Sequence, residues 1–101
     1  MEYPVLKLTR PIVVKGENVT ELAYDMDGMT AMDTMDAMRA RLMRFDNIPP
    51  LVGQLDEPLH FCEFCVACRK AMPDMEVADL ERMSRADYRR AAKLFAEGFT
   101  D

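Results

Sequence analysis

Tryptophan is absent from this sequence, histidine occurs once, at His60, and only four glycines are present. With no second histidine, no glycine-rich phosphate loop and no Ser/His/Asp arrangement in a recognisable context, the common catalytic constellations are missing. Long apolar runs are missing too. None approaches the roughly eighteen residues that a membrane span needs. The opening stretch MEYPVLKLTRPIVVKG is broken by charges and prolines, unlike a signal peptide. Both absences predict a cytoplasmic protein. Excess positive charge is lacking as well: a net charge of −5 and a pI near 4.8 argue against general affinity for nucleic acid, which rests on neutralising phosphates. A disulfide framework is excluded by an odd cysteine count, with all three cysteines inside seven residues, so reduced thiols are expected.

What is present is a soluble globular composition. The 101 residues, half of them hydrophobic and 31% charged, fit a single domain with a thin core. Charge is uneven. Residues 1–68 carry eleven acids against six bases, whereas residues 69–93 carry seven bases against five acids. The acidic front half suits either a basic partner or a solvated surface.

The pattern divides into a β front and an α back, predicting an α+β fold: an N-terminal β-hairpin followed by three to four helices, residues 1–101 as one domain. VLKL (5–8), the β-branched IVV (12–14) and VTELAY (19–24) read as strands, and KGEN (15–18) as a four-residue loop with Gly16 and Asn18 available for positive φ. The hairpin is expected over 4–26, with residues 4–14 against 19–26. Pro11, lacking an N–H, must sit at a bulge or on an edge. From Thr30 the period becomes helical. Ala31, Met35, Met38, Leu42 and Phe45 form an apolar stripe, which predicts a helix over 30–45 with that stripe buried and Thr30 and Asp33 as its capping pair. A proline-rich loop, 46–56, comes next and is expected to be mobile.

The helical part, 57–99, starts with Asp56 and Pro58 opening a helix over 57–72, apolar nearly all round and therefore central. A short helix is expected over 76–83. Ser84 and Asp87 cap a last one over 85–97, with Tyr88, Ala91, Ala92, Phe95 and Phe99 inward and Gly98 just past its end. The expected helical core is Phe61, Phe64, Cys65, Cys68, Leu80, Tyr88, Leu94 and Phe95, with Met35, Met38 and Leu42 beside it.

The stretch HFCEFCVACRK (60–70) decides whether chemistry is in play. Cys62, Cys65 and Cys68 have suggestive spacing, and His60 is the nearest fourth ligand. Zinc and cubane clusters, however, need about four ligands on turns that let sulfurs converge. EF and VA between the cysteines hold no glycine or proline to make such turns. On a helix the sulfurs spread over about a third of its circumference. Free cysteine packs as a small hydrophobe, so burial is the favoured reading, with no metal and no cofactor, and His60 is expected at the surface or half-buried. DMDG (25–28) resembles a fragment of a calcium loop, but the other ligands are missing at the required spacing.

Methionine is the unusual feature, ten in 101 residues. Met29, Met32 and Met43 fall off the apolar stripe of the first helix, and Asp25, Asp27, Asp33 and Asp36 surround that helix start. Soft apolar contacts ringed by carboxylates suit a basic amphipathic helix, or, on a small protein, a homo-oligomer contact.

In order and spacing these features resemble the small tail assembly chaperones of Mu-like and other contractile-tailed phages, over about residues 5–45 and 61–99. LTRPIVVKGENVTEL resembles the family's strand, Pro-Ile, Lys-Gly turn and Val-x-Glu-Leu. AYDMDGMTAMD is similar to its acidic strand end and helix start, with Ala31 where the family usually has glycine. MPDMEVADLERMSRADYRRAAKLFAEGF is similar to its closing helices, with an Asp-Tyr pair and a final Phe. The resemblance implies a non-enzymatic protein that binds the tape measure protein, helps the tail tube protein polymerise around it, works in the host cytoplasm and is absent from the mature virion. It transfers no catalytic residue. Two other readings remain: a metal-binding or redox module on His60, Cys62, Cys65 and Cys68, and a DNA-binding regulator using Arg82, Arg85, Arg89, Arg90 and Lys93, against which the acidic net charge weighs.

Overall fold

A computed structural model describes residues 3–49 and 56–99 of the chain. It is an α+β domain: strands β1 (Val5–Val14) and β2 (Glu17–Ala23) form an antiparallel hairpin, and helices α1 (Ala31–Arg44), α2 (Glu57–Ala71), α3 (Val77–Leu80) and α4 (Arg85–Phe99) follow. No helix among the described residues is long and apolar enough to cross a membrane.

The hairpin turns more tightly than expected. Val14 pairs with Glu17 across Lys15 and Gly16, whose φ angles of 52° and 83° are the double positive φ of a two-residue type I′ turn. Asn18, expected in the loop, instead pairs with Val13. The ladder then breaks. Lys7 pairs with Glu21 and Ile12 with Val19, so Leu8 to Pro11 stand opposite Thr20 alone. Pro11 therefore lies in an irregular stretch, where its missing N–H costs no ladder bond. Leu6, Ile12 and Leu22 point into the core, while Val5 and Val13 face outward.

The bulge has a partner far along the chain. Asp87, in the first turn of α4 and fully buried, accepts the Thr9 N–H at 3.0 Å, the Thr9 hydroxyl at 3.1 Å and the Arg10 N–H at 3.3 Å. Its own N–H donates to the Ser84 hydroxyl, the predicted cap. Backbone donors released by the bulge are thus satisfied by a carboxylate, as buried N–H groups must be.

Helix α2 is central. Asp56 caps it through the Leu59 N–H, and Pro58 stands in the first turn, where a missing N–H is harmless. Phe61, Phe64, Cys65, Ala67 and Cys68 are buried together with Leu22, Tyr24, Leu80, Ala91, Ala92 and Phe95, and Tyr88 and Leu94 pack beside them. Phe64 meets Tyr24 with centroids 5.5 Å apart and Phe95 at 6.2 Å, and Phe61 meets Tyr88 at 4.9 Å. The expected α2 and α4 core is therefore present. Tyr24 and the hairpin leucines complete it from the other side.

Two expectations are corrected at the helices. α3 covers only Val77–Leu80. α4 runs through Gly98 to Phe99 instead of ending before Gly98, and the burial expected of the Phe99 side chain lies outside the described residues. In the loop over 46–56, residues 50–55 lie outside them too, and with them the expected mobility.

The largest correction concerns α1. Its boundaries and its Thr30–Asp33 capping box match expectation. Its orientation is the reverse: Ala37 and Arg41 are buried, whereas Ala31, Met35, Met38 and Leu42 face outward and Phe45 is half-buried. Arg41 explains this. Its guanidinium donates to Asp56 at 3.2 Å and to the carbonyls of Phe45, Ile48 and Pro49 at 2.9, 2.9 and 3.1 Å, so its donors hold together the end of α1, the following turn and the start of α2. The small Ala37 lets the helix approach closely. Asp33 reaches Lys70 of α2 at 2.9 Å, and Arg44 pairs with Glu81. A charged and small-residue face is anchored inward, and the apolar stripe is left outside.

Candidate partner-binding surface

The cysteine stretch is built into the centre of α2. Cys62, Cys65 and Cys68 are free thiols, each at most 2% exposed, and among the described residues no group of three or more His, Cys, Asp or Glu side chains is placed to hold a metal ion. Burial pushes the Cys62 thiol up to about 11, although Arg44 and Arg41 pull the other way, and it pushes Cys65 and Cys68 higher still. A thiol held protonated is a poor nucleophile and a poor ligand. His60, expected near the surface, is instead fully buried, with Nδ1 2.7 Å from Glu63 Oε1. Its position one turn into the central helix was the available signal, since α2 is covered on several sides.

A shallow cleft of about 300 Å³ lies between α1 and α2, lined by Asp33, Asp36, Ala40, Val66, Arg69 and Lys70 among others. Its charges are largely engaged. Lys70 bonds Asp33, which holds that carboxyl below the usual range with help from the Thr30 N–H, and Arg69 donates to the Met75 carbonyl.

The basic residues of the last helices are partly committed as well. Arg82 donates to the Val13 carbonyl, and Arg90 to the Lys7 carbonyl and to Asp87. They stitch α3 and α4 to the hairpin. Arg85, Arg89 and Lys93 remain exposed.

The outward face of α1 is different in kind. Met32, Met35, Met38, Leu42 and Met43 are between 46% and 83% exposed, and Ile48 extends the patch beyond the helix end. On a helical wheel these side chains cover roughly 140° of the circumference. Of the residues predicted to bind a partner, Met32 and Met43 lie on this face. Met29 does not: it is half-buried and packs on the core. The acids are more engaged than a free ring of carboxylates would be. Asp25 accepts the Gly28 N–H at 2.9 Å, Asp33 is held by Lys70 and Thr30, and Asp36 pairs with Arg39 at 2.8 Å, while Asp27 is exposed. Met35, Met38 and Leu42, assigned to the core from the sequence, belong to this surface instead.

Several large apolar side chains exposed on one helix face of a small domain point to an interaction surface. Unbranched, polarizable methionine side chains suit a partner whose apolar positions vary along its length. No family model, curated protein or solved structure matches the chain.

Proposed function

We propose that this chain is a phage or prophage tail assembly chaperone, a non-enzymatic protein of the host cytoplasm that binds the tape measure protein and is left out of the finished virion. The observation that carries the reading is the outward methionine face of α1. A tape measure chain presents apolar helical stripes until the tube encloses it, and an exposed helix face of soft side chains can cover such a stripe by helix-on-helix packing. Asp36 borders the face and Arg39 stands within it, both exposed, where charges steer approach more than they add affinity. The sequence motifs that resemble the chaperone family support the same role. The metal or redox alternative draws no support from thiols buried along one helix.

Co-expression with fragments of a tape measure protein tests the proposal. The wild-type chain is expected to keep a helical fragment soluble and to co-purify with it, and Met32→Glu with Met43→Glu to lose that ability. Equal recovery with both proteins sinks the assignment of this face.

A further inference from the structure

The outward face of α1 is complementary to itself. Ala31, Met35, Met38 and Leu42 are spaced by four, three and four residues, the seam spacing of a two-helix contact, and all four are exposed. Arg39 lies along one flank of the seam, with Asp36 further round the same side of the helix, both exposed and 2.8 Å apart. When two copies of α1 are laid antiparallel about a dyad between Asp36 and Ala37, Ala31 of each faces Leu42 of the other, and Met35 faces Met38. Small meets large in the outer layers, and methionine meets methionine in the inner ones. Each Arg39 then falls only two residues' rise, about 3 Å along the axis, from the second copy's Asp36. A parallel pairing would set Asp36 against Asp36 and Arg39 against Arg39, with the helix dipoles aligned.

We propose that α1 is the contact of an antiparallel homodimer, with a second copy of this chain as the occupant of the methionine face. The six exposed side chains from Met32 to Ile48 present on the order of 600 Å², and pairing two such faces buries at most about 1,200 Å², the lower bound of specific interfaces. The dimer is therefore one that dissociates on dilution. The inference stands without the chaperone reading. If both hold, an apolar client helix displaces the second copy, and the face stays covered in either state.

Sedimentation velocity on the full chain over a dilution series tests the dimer. Expected are a dimer at high concentration that dissociates on dilution, and monomers at every concentration for Leu42→Glu and for Met38→Glu, with circular dichroism unchanged and a urea midpoint equal to that of the wild type at dilutions where it is monomeric. A wild-type chain that stays monomeric throughout, or a dimer indifferent to both substitutions, overturns the proposal. Orientation is read by a short thiol cross-linker, because the native thiols are buried. Ala31→Cys mixed with Leu42→Cys is expected to cross-link, and either alone to remain unlinked. Efficient linking of Ala31→Cys to itself overturns the antiparallel arrangement. None of these outcomes depends on a tape measure protein, so failure here leaves the client reading standing and the converse also holds.

Discussion

The carboxylate of Asp87 lies 3.0 Å from the backbone nitrogen of Thr9, 78 residues earlier in the chain. From the first turn of α4, where its N–H meets the Ser84 hydroxyl, this side chain fills the gap in a broken β-ladder, so the hairpin and α4 share a single polar anchor. Burial alone would raise the pKa of Asp87. The N–H groups of Thr9 and Arg10 and the hydroxyls of Ser84 and Thr9 outweigh that, and the carboxyl is held below its ordinary value.

Replacing Asp87 with alanine is expected to cost about 2–3 kcal/mol, because the N–H groups of Thr9 and Arg10 lose a charged acceptor. Urea denaturation reads the loss. The pH dependence follows from the lowered value. The ionised group's contribution is fully present above the unfolded-state value of about 3.9 and is lost as pH falls through the folded one. Wild type should therefore lose stability on acidification below about pH 4 more steeply than Asp87→Asn. Parallel acid profiles for the two proteins would contradict the anchor.

Arg41 is the second anchor. Arg41→Ala leaves Asp56 buried at 4% exposure without its guanidinium and frees the carbonyls of Phe45, Ile48 and Pro49. A loss of about 3–5 kcal/mol is expected, the usual result of breaking a buried pair from one side. A loss below about 1 kcal/mol would place Arg41 among ordinary surface charges.

The thiols give a third test. With Cys62 pushed up to about 11 and the other two higher, native protein at pH 8 should react slowly with an aromatic disulfide reagent, and urea should release all three thiols together. Fast labelling of the native chain, or purification with stoichiometric zinc or iron, would revive the metal-binding reading.

How far the sequence reached depends on the kind of information each feature carries. The α+β order, the Thr30 and Ser84 caps and the burial of Phe61, Phe64, Cys65 and Cys68 are local patterns, and they appear in the residues as written. The orientation of α1 was not legible. Periodicity shows that Ala31, Met35, Met38 and Leu42 share a face, but which face turns inward is decided by Arg41 finding Asp56 and by Asp33 finding Lys70, contacts between elements. The same holds for Asp87. Its spacing from Ser84 revealed a cap, while its grip on Thr9 depends on a ladder break that no residue pattern announces. Met32 and Met43 are legible as surface residues only because they lie off the stripe that periodicity alone would bury. The surface is larger than that, since the stripe itself is part of it.

The chain's methionines make the outward face directly measurable. Mild peroxide treatment of dilute protein, followed by mass spectrometry of each methionine, compares α1 with the core, since sulfoxide formation follows exposure. Met32, Met35, Met38 and Met43 are expected to oxidise first, and Met75 and Met83, at 6% and 8% exposure, last. A bound tape measure fragment should protect the four α1 methionines selectively. Slow oxidation of Met35 and Met38 in the dilute free chain would contradict the outward face, and unaltered rates with the fragment bound would contradict its role.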